Sequence, residues 1–249
     1  MSSEKAKTLK LEDDIKKLKT EPISKTIFFV FDIEADGDSP VYNSMLSIGI
    51  VIFDESGKEL ESYQSNIKPL ADRVQGKRCM EEFWNKNPEA WKFVNTDAKS
   101  SFIVMQQVSE LYQKYKDQGC NIDWVADPAA YDWQWLKAYM EIQKHYNWPT
   151  VDIGYTATCL DTIEQLYWKI TDMKNADEKI KQVIKDNMAG NCKHTHNPVD
   201  DARRAGRIYF AMQKNLGLIS FKFSDTGAKG VCINNESTPK GYQDVLLLK

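Results

Sequence analysis

The feature that most constrains the fold is an almost uninterrupted apolar run, Thr26 to Ile33 (TIFFVFDI). Its β-branched and aromatic residues favour a strand, and the run lacks the polar–apolar alternation of a strand with one solvated face. A strand that is buried on both faces needs a layer of other elements on each side of its sheet. The run therefore predicts the central strand of a sheet that is covered on both sides.

The rest of the chain supplies the elements that such a sheet requires. Residues 45–53 and 59–67 are predicted strands, and the turn Asp54 to Gly57 between them indicates an antiparallel hairpin. Two short strands, at 122–126 and 156–160, alternate with predicted helices. The predicted helices cover 80–94, 99–118, 133–146, 162–170, a charged segment that continues to about 186, and 199–215. This order predicts an α/β domain with a mixed sheet.

The length of the chain is that of one domain with extensions. Its 249 residues, 42% of them hydrophobic, suffice to bury a core without a disulfide or a structural metal. We predict a domain at 26–217 and a C-terminal extension of uncertain structure at 218–249. Residues 1–25 are predicted to form a charged arm or short helix, because Leu9, Leu11, Ile15 and Leu18 fall roughly at helical spacing.

Composition excludes some classes of protein and limits others. No run reaches the roughly 18–20 apolar residues of a membrane span, so no membrane partner is expected. The Lys-rich start is not a secretory signal. The cysteines are odd in number and scattered, which favours an intracellular, reducing compartment, such as the cytoplasm. With a net charge of −3, an anionic partner would have to meet a local basic patch or bound cations.

Two acidic side chains stand at the end of the central strand. Asp32 and Glu34 are two residues apart, so they point to the same face of a strand. Neighbouring carboxylates repel each other and are costly to bury without a partner, and a divalent cation removes that conflict. A solvated strand end would also explain the pair, so this feature alone leaves both interpretations open.

Two further acidic positions lie near helix starts. Asp132 follows the short strand at 122–126 and opens a predicted helix, where an N-cap role would be sufficient. His196 lies in the loop before the last helix, and Asp201 falls in the first turn of that helix, where the helix dipole already favours a carboxylate. A zinc site formed by Cys192, His194 and His196 is a weaker alternative, because these residues do not have a familiar ligand spacing.

Taken in this order, the features resemble the DEDDh exonucleases, the histidine-bearing branch of the proofreading-type 3′→5′ exonucleases. The resemblance spans about residues 26–215. Its three motifs are Phe31 to Gly37 (FDIEADG), Ala129 to Leu136 (AAYDWQWL) and His196 to Tyr209 (HNPVDDARRAGRIY). Two further stretches are similar to segments of family members, Leu160 to Thr162 to an Asp-Thr pair and Glu82 to Ala90 to a segment of bacteriophage-type members.

The resemblance implies a ribonuclease H-like fold, with a central mixed five-stranded sheet flanked by helices. It also implies a metal-dependent 3′→5′ exonuclease that releases nucleoside 5′-monophosphates from single-stranded nucleic acid or 3′ overhangs, RNA or DNA. The family interval of four residues after the histidine selects Asp201 rather than Asp200. The implied catalytic residues are Asp32, Glu34, Asp132, His196 and Asp201. The four carboxylates would hold two divalent cations, Mg²⁺ or Mn²⁺, and His196 would be the general base.

The motifs also indicate which residues contact the substrate. Ala35 stands where Thr is common in the family, and we expect its backbone N–H to contact the end of the substrate. Aromatic residues near the motifs can stack bases, and arginines near the third motif can contact phosphates, although core packing and a solvated helix face are the alternatives. The predicted substrate-binding residues are Ala35, Trp84, Trp133, Arg203 and Arg207. Before Asp132, Asp127-Pro128 replaces the family's usual His-Asn, which adds an acid near the site.

Two other functions compete with this interpretation. An endonuclease or another metal-dependent phosphotransferase could use the same fold, but the H-x4-D motif argues against it. A catalytically inactive module that binds nucleic acid or protein is a second alternative. The presence of all five implied catalytic residues disfavours that alternative.

Overall fold

The computed structural model describes residues 25–190 and 192–218. The helix predicted within residues 1–25 and nearly all of the predicted C-terminal extension lie outside these ranges. The strands are β1 (Thr26–Ala35), β2 (Met45–Asp54), β3 (Glu59–Asn66), β4 (Asn121–Ala126) and β5 (Thr158–Cys159). The helices are α1 (Lys77–Glu82), α2 (Pro88–Asn95), α3 (Ser101–Asp117), α4 (Ala129–His145), α5 (Leu160–Ile170), α6 (Glu178–Met188) and α7 (Pro198–Asn215), with a 3₁₀ turn at Trp84–Lys86.

The five strands form one mixed sheet in the order β3-β2-β1-β4-β5. β1 pairs antiparallel with β2 and parallel with β4, so the apolar run forms the centre of the sheet. The predicted α/β class, the mixed five-stranded sheet and the β2–β3 hairpin are confirmed.

Both faces of β1 are covered by helices, which explains why the run is almost entirely apolar. Phe29 and Phe31 belong to one core with residues of α3 and α4. Val30 belongs to a second core with residues of α5 and α7. The side chains of Asp32 and Glu34 point to the same face of β1 as Val30, which is the face against which α7 packs.

Two glycines allow α7 to lie close against β2. Gly49 is the ladder partner of Asp32, and a Cβ atom there would overlap backbone atoms of Pro198 and Val199 at the start of α7. A Cβ atom on Gly206, further along α7, would overlap the ring of Phe53. The glycines therefore set how closely α7 approaches β2, the strand next to the one that carries the acidic pair.

Three of the predicted elements differ from those in the structure. The helix predicted at 80–94 is broken into α1, the 3₁₀ turn and α2, because Asn87 precedes Pro88 and leaves the helical region with φ −123° and ψ 60°. α4 begins at Ala129, so Asp132 lies inside its first turn, and the N-cap interpretation is wrong. β5 has only two residues, since only Val125 and Ala126 pair with it.

Among the described residues, no helix combines the length and the apolar character that a bilayer crossing requires.

We predict that Gly49→Ala lowers the free energy of unfolding by about 1–3 kcal/mol, the usual cost of overpacking a filled site. The new methyl group would push the start of α7 away from β2. Ser62→Ala is the matched control, because Ser62 is exposed on the neighbouring strand β3. Denaturant unfolding of both variants measures the difference. Equal stability of Gly49→Ala and the parent protein would show that α7 does not depend on this contact.

Candidate active site

The acidic pair lies where β1 leaves the ladder. The β1–β2 register shifts between Glu34 and Ala35, so the strand bends immediately after the second carboxylate. The indole N–H of Trp84 donates to the carbonyl oxygen of Ala35 at 3.0 Å. This hydrogen bond ties the irregular strand end to the α1–α2 segment and thereby fixes the backbone next to Glu34.

Asp132 approaches the pair from the first turn of α4. Its side chain is buried, with 2% exposure, and the unpaired amides of a first helical turn favour a carboxylate there. The carboxylate Oδ2 has no hydrogen-bond partner among the described residues. Among the neighbouring carboxylates, Asp132 has the largest effect in raising the pKa of Asp32, so the two side chains are close.

The loop before α7 brings the third motif to the same place. The side chain of Asn197 caps the helix by accepting from the backbone N–H of Val199 at 3.3 Å. His196 adopts the left-handed region, with φ 59°, and its Nδ1 lies 3.8 Å from Oε1 of Glu34. The ring of Phe83 packs edge-on against the imidazole, with centroids 4.8 Å apart.

Asp201 projects into the cluster from the first turn of α7. Its Oδ1 accepts from the backbone N–H of Thr195 at 2.8 Å and lies 3.2 Å from Nδ1 of His194. Its Oδ2 is buried and has no partner among the described residues. Oxygen atoms of Asp32, Glu34 and Asp201 all lie within 4.8 Å of one another.

This donor set fits divalent cations. Carboxylate oxygens are hard ligands of the kind that Mg²⁺ and Mn²⁺ prefer, and Asp132 and Asp201 each present a buried oxygen without a partner. A buried, unpartnered carboxylate is unfavourable unless a cation or a proton compensates its charge. The residues that are present therefore fit the metal ions that the sequence predicts.

The electrostatics of the cluster point the same way. Burial raises the pKa of Asp32 well above its ordinary value, and repulsion from Asp132, Glu34 and Asp201 raises it further. Burial likewise raises the pKa of Glu34 well above its ordinary value, with Asp201 and Asp132 adding to the rise. The pKa of Asp132 is raised to about 8, mainly by burial. Without cations, the cluster thus holds protons that isolated carboxylates lose near pH 4.

The two histidines of the loop differ in their surroundings. Burial lowers the pKa of His196, and the neighbouring His194 lowers it further. The hydrogen bond to Asp201 raises the pKa of His194, whose side chain is 60% exposed. Near neutral pH, His196 is consequently the imidazole that is more readily free to accept a proton.

The structure thus brings all five implied catalytic residues into one cluster. Sequence reasoning missed three supporting features: the contact of His194 with Asp201, the packing of Phe83 on His196, and the close approach at Gly49. Only Gly49 carried a signal, since a glycine inside a strand marks a close backbone approach. Asp127 lies near enough to raise the pKa of both Asp32 and Asp132, as expected for an added acid.

The predicted aromatic substrate contacts and Ala35 are buried or partly buried in the structure. Trp84 is 1% exposed and packs against Phe83 and Trp91, so the prediction that it stacks a base is wrong. Trp133 is half-buried, and its ring packs on Phe31 and Trp124. Ala35 is buried at the strand end, next to Glu34.

The two predicted arginines have other partners. Arg203 pairs with Glu59 and Asp200, which occupy most of its donors. Arg207 donates to the carbonyl oxygen of Ala189. The structure therefore does not bring either guanidinium to the carboxylate cluster by a hydrogen bond or an ion pair.

The residues of the alternative zinc site do not all lie together in the structure. His194 and His196 do lie together, and their nitrogens come within 4.8 Å of an oxygen of Asp201. Cys192 is not part of this group, because its thiol donates to the carbonyl oxygen of Asp200 at 3.6 Å. A Cys192–His194–His196 site is therefore not formed.

Comparisons with known proteins agree with this geometry. The model of the Rv2179c-like 3′-5′ exoribonuclease domain family matches residues 28–212. No curated protein matches the chain significantly.

Solved structures show the same fold at low sequence identity. The nuclease domain of 3′hExo, described as a DEDDh family member bound to rAMP, aligns with a TM-score of 0.53 and 11% identity over 77% of this chain and 92% of that one. A 3′-exonuclease that recognises the histone mRNA stem-loop aligns with a TM-score of 0.54 and 13% identity, over 78% and 84% of the two chains. E. coli ExoI, in a zinc-bound complex with single-stranded DNA, gives 0.56 and 9% identity, over 79% of this chain and 42% of that one.

The family match and the site agree, because the matched range 28–212 contains every carboxylate of the cluster and both histidines. The chain belongs to the family of Rv2179c-like 3′-5′ exoribonuclease domains, and it is a 3′→5′ exonuclease with the ribonuclease H-like fold of the DEDDh enzymes.

Proposed function

We propose that the chain hydrolyses the terminal phosphodiester bond at the 3′ end of single-stranded nucleic acid and releases nucleoside 5′-monophosphates. The observation that carries the proposal is the cluster of four buried or partly buried carboxylates, two of which have an oxygen without a partner. A fold can host many activities, whereas such a cluster has a narrow chemical use.

Two divalent cations, Mg²⁺ or Mn²⁺, are the proposed cofactors. Asp32, Glu34 and Asp201 would hold one of them, since their oxygens already converge, and Asp132 would contribute to the second. When bound, such cations neutralise charge on the phosphate, activate a water molecule and stabilise the departing oxygen. They would also supply the local positive charge that a protein with net charge −3 needs in order to bind a polyanion.

His196 is the proposed general base. Its lowered pKa keeps the imidazole neutral at pH 7, and Glu34 and Phe83 hold the ring beside the carboxylates. A neutral imidazole can take the proton of an attacking water molecule. His194 is less suited to this role, because its Nδ1 already contacts Asp201.

The family description supports RNA as one substrate, and the ExoI complex shows a related fold on single-stranded DNA. We propose a single strand or a 3′ overhang as the substrate, with the backbone N–H of Ala35 near its end and the half-buried Trp133 near a base. The catalytic domain would span residues 26–217. A reducing intracellular compartment is consistent with the free thiols of Cys79, Cys120, Cys159 and Cys192.

The direct test uses single-stranded RNA and DNA oligonucleotides labelled at the 5′ end, with Mg²⁺, Mn²⁺ or EDTA. We expect a ladder that shortens from the 3′ end and requires a divalent cation. Asp201→Asn should abolish the ladder, whereas Asp200→Asn should retain it, because Asp200 forms a surface ion pair with Arg203. Comparison of these two variants of adjacent residues distinguishes loss of the site from general damage to the start of α7.

Other product patterns would reject the proposal. Internal cleavage products would indicate an endonuclease. Tight binding of folded, cation-loaded protein without any product would indicate the inactive binding module.

The pH dependence tests His196. Because its pKa lies below the ordinary 6.5, we expect kcat/KM to rise with pH and to level off by about pH 7. His196→Ala should lower kcat about 10²–10⁴-fold and abolish the rise of kcat/KM with pH, whereas His194→Ala should retain that rise. If the rise disappeared in His194→Ala and persisted in His196→Ala, His194 would be the general base.

The raised carboxylate pKa values predict a stability effect. In EDTA the cluster binds protons more tightly in the folded state than in the unfolded state. Its contribution to the free energy of unfolding is therefore fully present below about pH 4 and is lost as the pH rises towards about 8, near the pKa of Asp132. We therefore expect Tm in EDTA to fall over this range because of the cluster, and Mg²⁺ to reduce the fall. Asp132→Asn should flatten the curve in EDTA. An unchanged slope in that variant would mean that the cluster does not control the pH dependence.

A further inference from the structure

Two of the three histidines of the chain lie side by side next to the carboxylate cluster. The imidazole rings of His194 and His196 have their centroids 4.5 Å apart and are nearly perpendicular, with an interplanar angle of 78°. One nitrogen of each ring and one oxygen of Asp201 all lie within 4.8 Å of one another. We call these three residues the His-His-Asp group. The proposed hydrolysis uses His196 and Asp201 but assigns no chemistry to His194.

The shortest contact in the His-His-Asp group has nearly the separation of two ligands of one zinc ion. Nδ1 of His194 lies 3.2 Å from Oδ1 of Asp201. Zinc bonds to nitrogen and oxygen are about 2.0–2.2 Å long, so a tetrahedral angle between them places the two donor atoms roughly 3.3–3.5 Å apart. Both rings reach solvent, His194 with 60% and His196 with 27% of the side chain exposed. Small rotations of the rings can therefore close the wider separations in the group.

The loop that carries the two histidines is tied to the helix that carries the carboxylate. The backbone N–H of Thr195, between the histidines, donates to Oδ1 of Asp201 at 2.8 Å. The thiol of Cys192 donates to the carbonyl oxygen of Asp200 at 3.6 Å, and Nη1 of Arg204 donates to the carbonyl oxygen of Cys192 at 3.1 Å. These bonds hold the loop against the first two turns of α7. A site whose ligands are held in place loses less conformational freedom when an ion binds.

The carboxylate of the group is available to a cation. Asp201 is 5% exposed, and its Oδ2 is buried and has no hydrogen-bond partner among the described residues. Oxygens of Asp32 and Glu34 lie within 4.8 Å of an oxygen of Asp201, so their negative charge also favours a cation at this place.

The donor atoms of the group select a different ion from the one that the carboxylates prefer. Imidazole nitrogen is a common ligand of Zn²⁺, whereas Mg²⁺ prefers oxygen ligands and retains several water molecules. Two histidines and one carboxylate, with a fourth position left to water, form a ligand set that zinc sites use. Asp201 here takes the place of Cys192 in the zinc site that the sequence suggested as an alternative.

We propose that the His-His-Asp group binds Zn²⁺ through one ligand atom from each of its residues, and that this zinc ion inhibits the exonuclease. A neutral imidazole has one nitrogen with a free lone pair, so a zinc-bound His196 cannot also accept the proton of a water molecule. The zinc ion would also draw Asp201 away from the cations that Asp32 and Glu34 hold. The inhibition rests on the proposed function of His196, whereas the binding of zinc does not.

The first test measures zinc binding without nucleic acid, by competition of the full chain with a chromophoric chelator. His194→Ala should weaken Zn²⁺ binding by at least about tenfold, because a direct ligand contributes no less than a residue that only orients one. His145→Ala is the matched control, since it removes the remaining histidine, which is at the end of α4 and outside the group. That variant should bind Zn²⁺ as the parent protein does. Equal zinc affinity of the parent protein and His194→Ala would overturn the inference.

A second variant distinguishes the His-His-Asp group from the carboxylate cluster. Glu34→Gln leaves all three residues of the group in place and removes one charge from the cluster. We expect this variant to bind Mn²⁺ more weakly than the parent protein and to retain most of its zinc affinity. His194→Ala should show the opposite preference, with a larger loss for Zn²⁺ than for Mn²⁺. If zinc binding were lost in Glu34→Gln and retained in His194→Ala, zinc would lie among the carboxylates and the inference would be wrong.

The inhibition is measured with a 5′-labelled oligonucleotide in excess Mg²⁺ and increasing Zn²⁺. The rate of each protein is expressed relative to its own rate without zinc. The parent rate should fall as the measured zinc site fills and should recover when a zinc-selective chelator is added. His194→Ala should need at least about tenfold more Zn²⁺ for the same inhibition. An unchanged rate of the zinc-saturated parent protein would refute the inhibitory role.

The two measurements also separate this inference from the proposed function. If no protein shortens the oligonucleotide under any condition, the exonuclease proposal fails, and the binding measurements still decide whether the zinc site exists. If the parent protein is active and binds no zinc, the exonuclease proposal stands and the zinc site is refuted.

Discussion

The carboxylate cluster depends on the contact between the start of α7 and strand β2 at Gly49. Without a side chain at this position, backbone atoms of Pro198 and Val199 pack directly on β2 beside the ladder partner Asp32. That single contact determines where the first turn of α7 lies, and with it the position of Asp201. The preceding loop then places His196 against Glu34. Residues separated by more than 160 positions thus meet because two backbones can touch.

The cluster that results is unfavourable in isolation. Burial and mutual repulsion raise the pKa values of Asp32, Glu34 and Asp132 together, and this is the signature of carboxylates that lack a counter-charge. Stability for such a site has to come from elsewhere in the fold. The buried aromatic residues of β1 and the hydrogen bond from Trp84 to Ala35 hold the strand end in place. The electrostatic repulsion within the cluster is therefore offset by the surrounding core.

Much of this arrangement could be predicted from the sequence, because it follows from local periodicity and spacing. The apolar run predicted β1 as the central strand, and the two-residue interval predicted that Asp32 and Glu34 share a face. The role of Trp84 could not be predicted, since an aromatic residue near a motif can either stack a base or fill a core. Long-range packing decides between these two. The predicted start of α4 was four residues too late for a related reason: an Asp such as Asp132 is compatible with both an N-cap and the first turn of a helix.

The arginines illustrate how an acidic protein can act on a polyanion. Arg73, Arg78, Arg203 and Arg204 each form an ion pair with a carboxylate, and Arg207 donates to a backbone carbonyl oxygen. Since these are all the arginines of the chain, guanidinium groups are committed to the fold and only some of their donors remain for phosphates. Phosphate charge at the 3′ end would then be met mainly by cations in the carboxylate cluster.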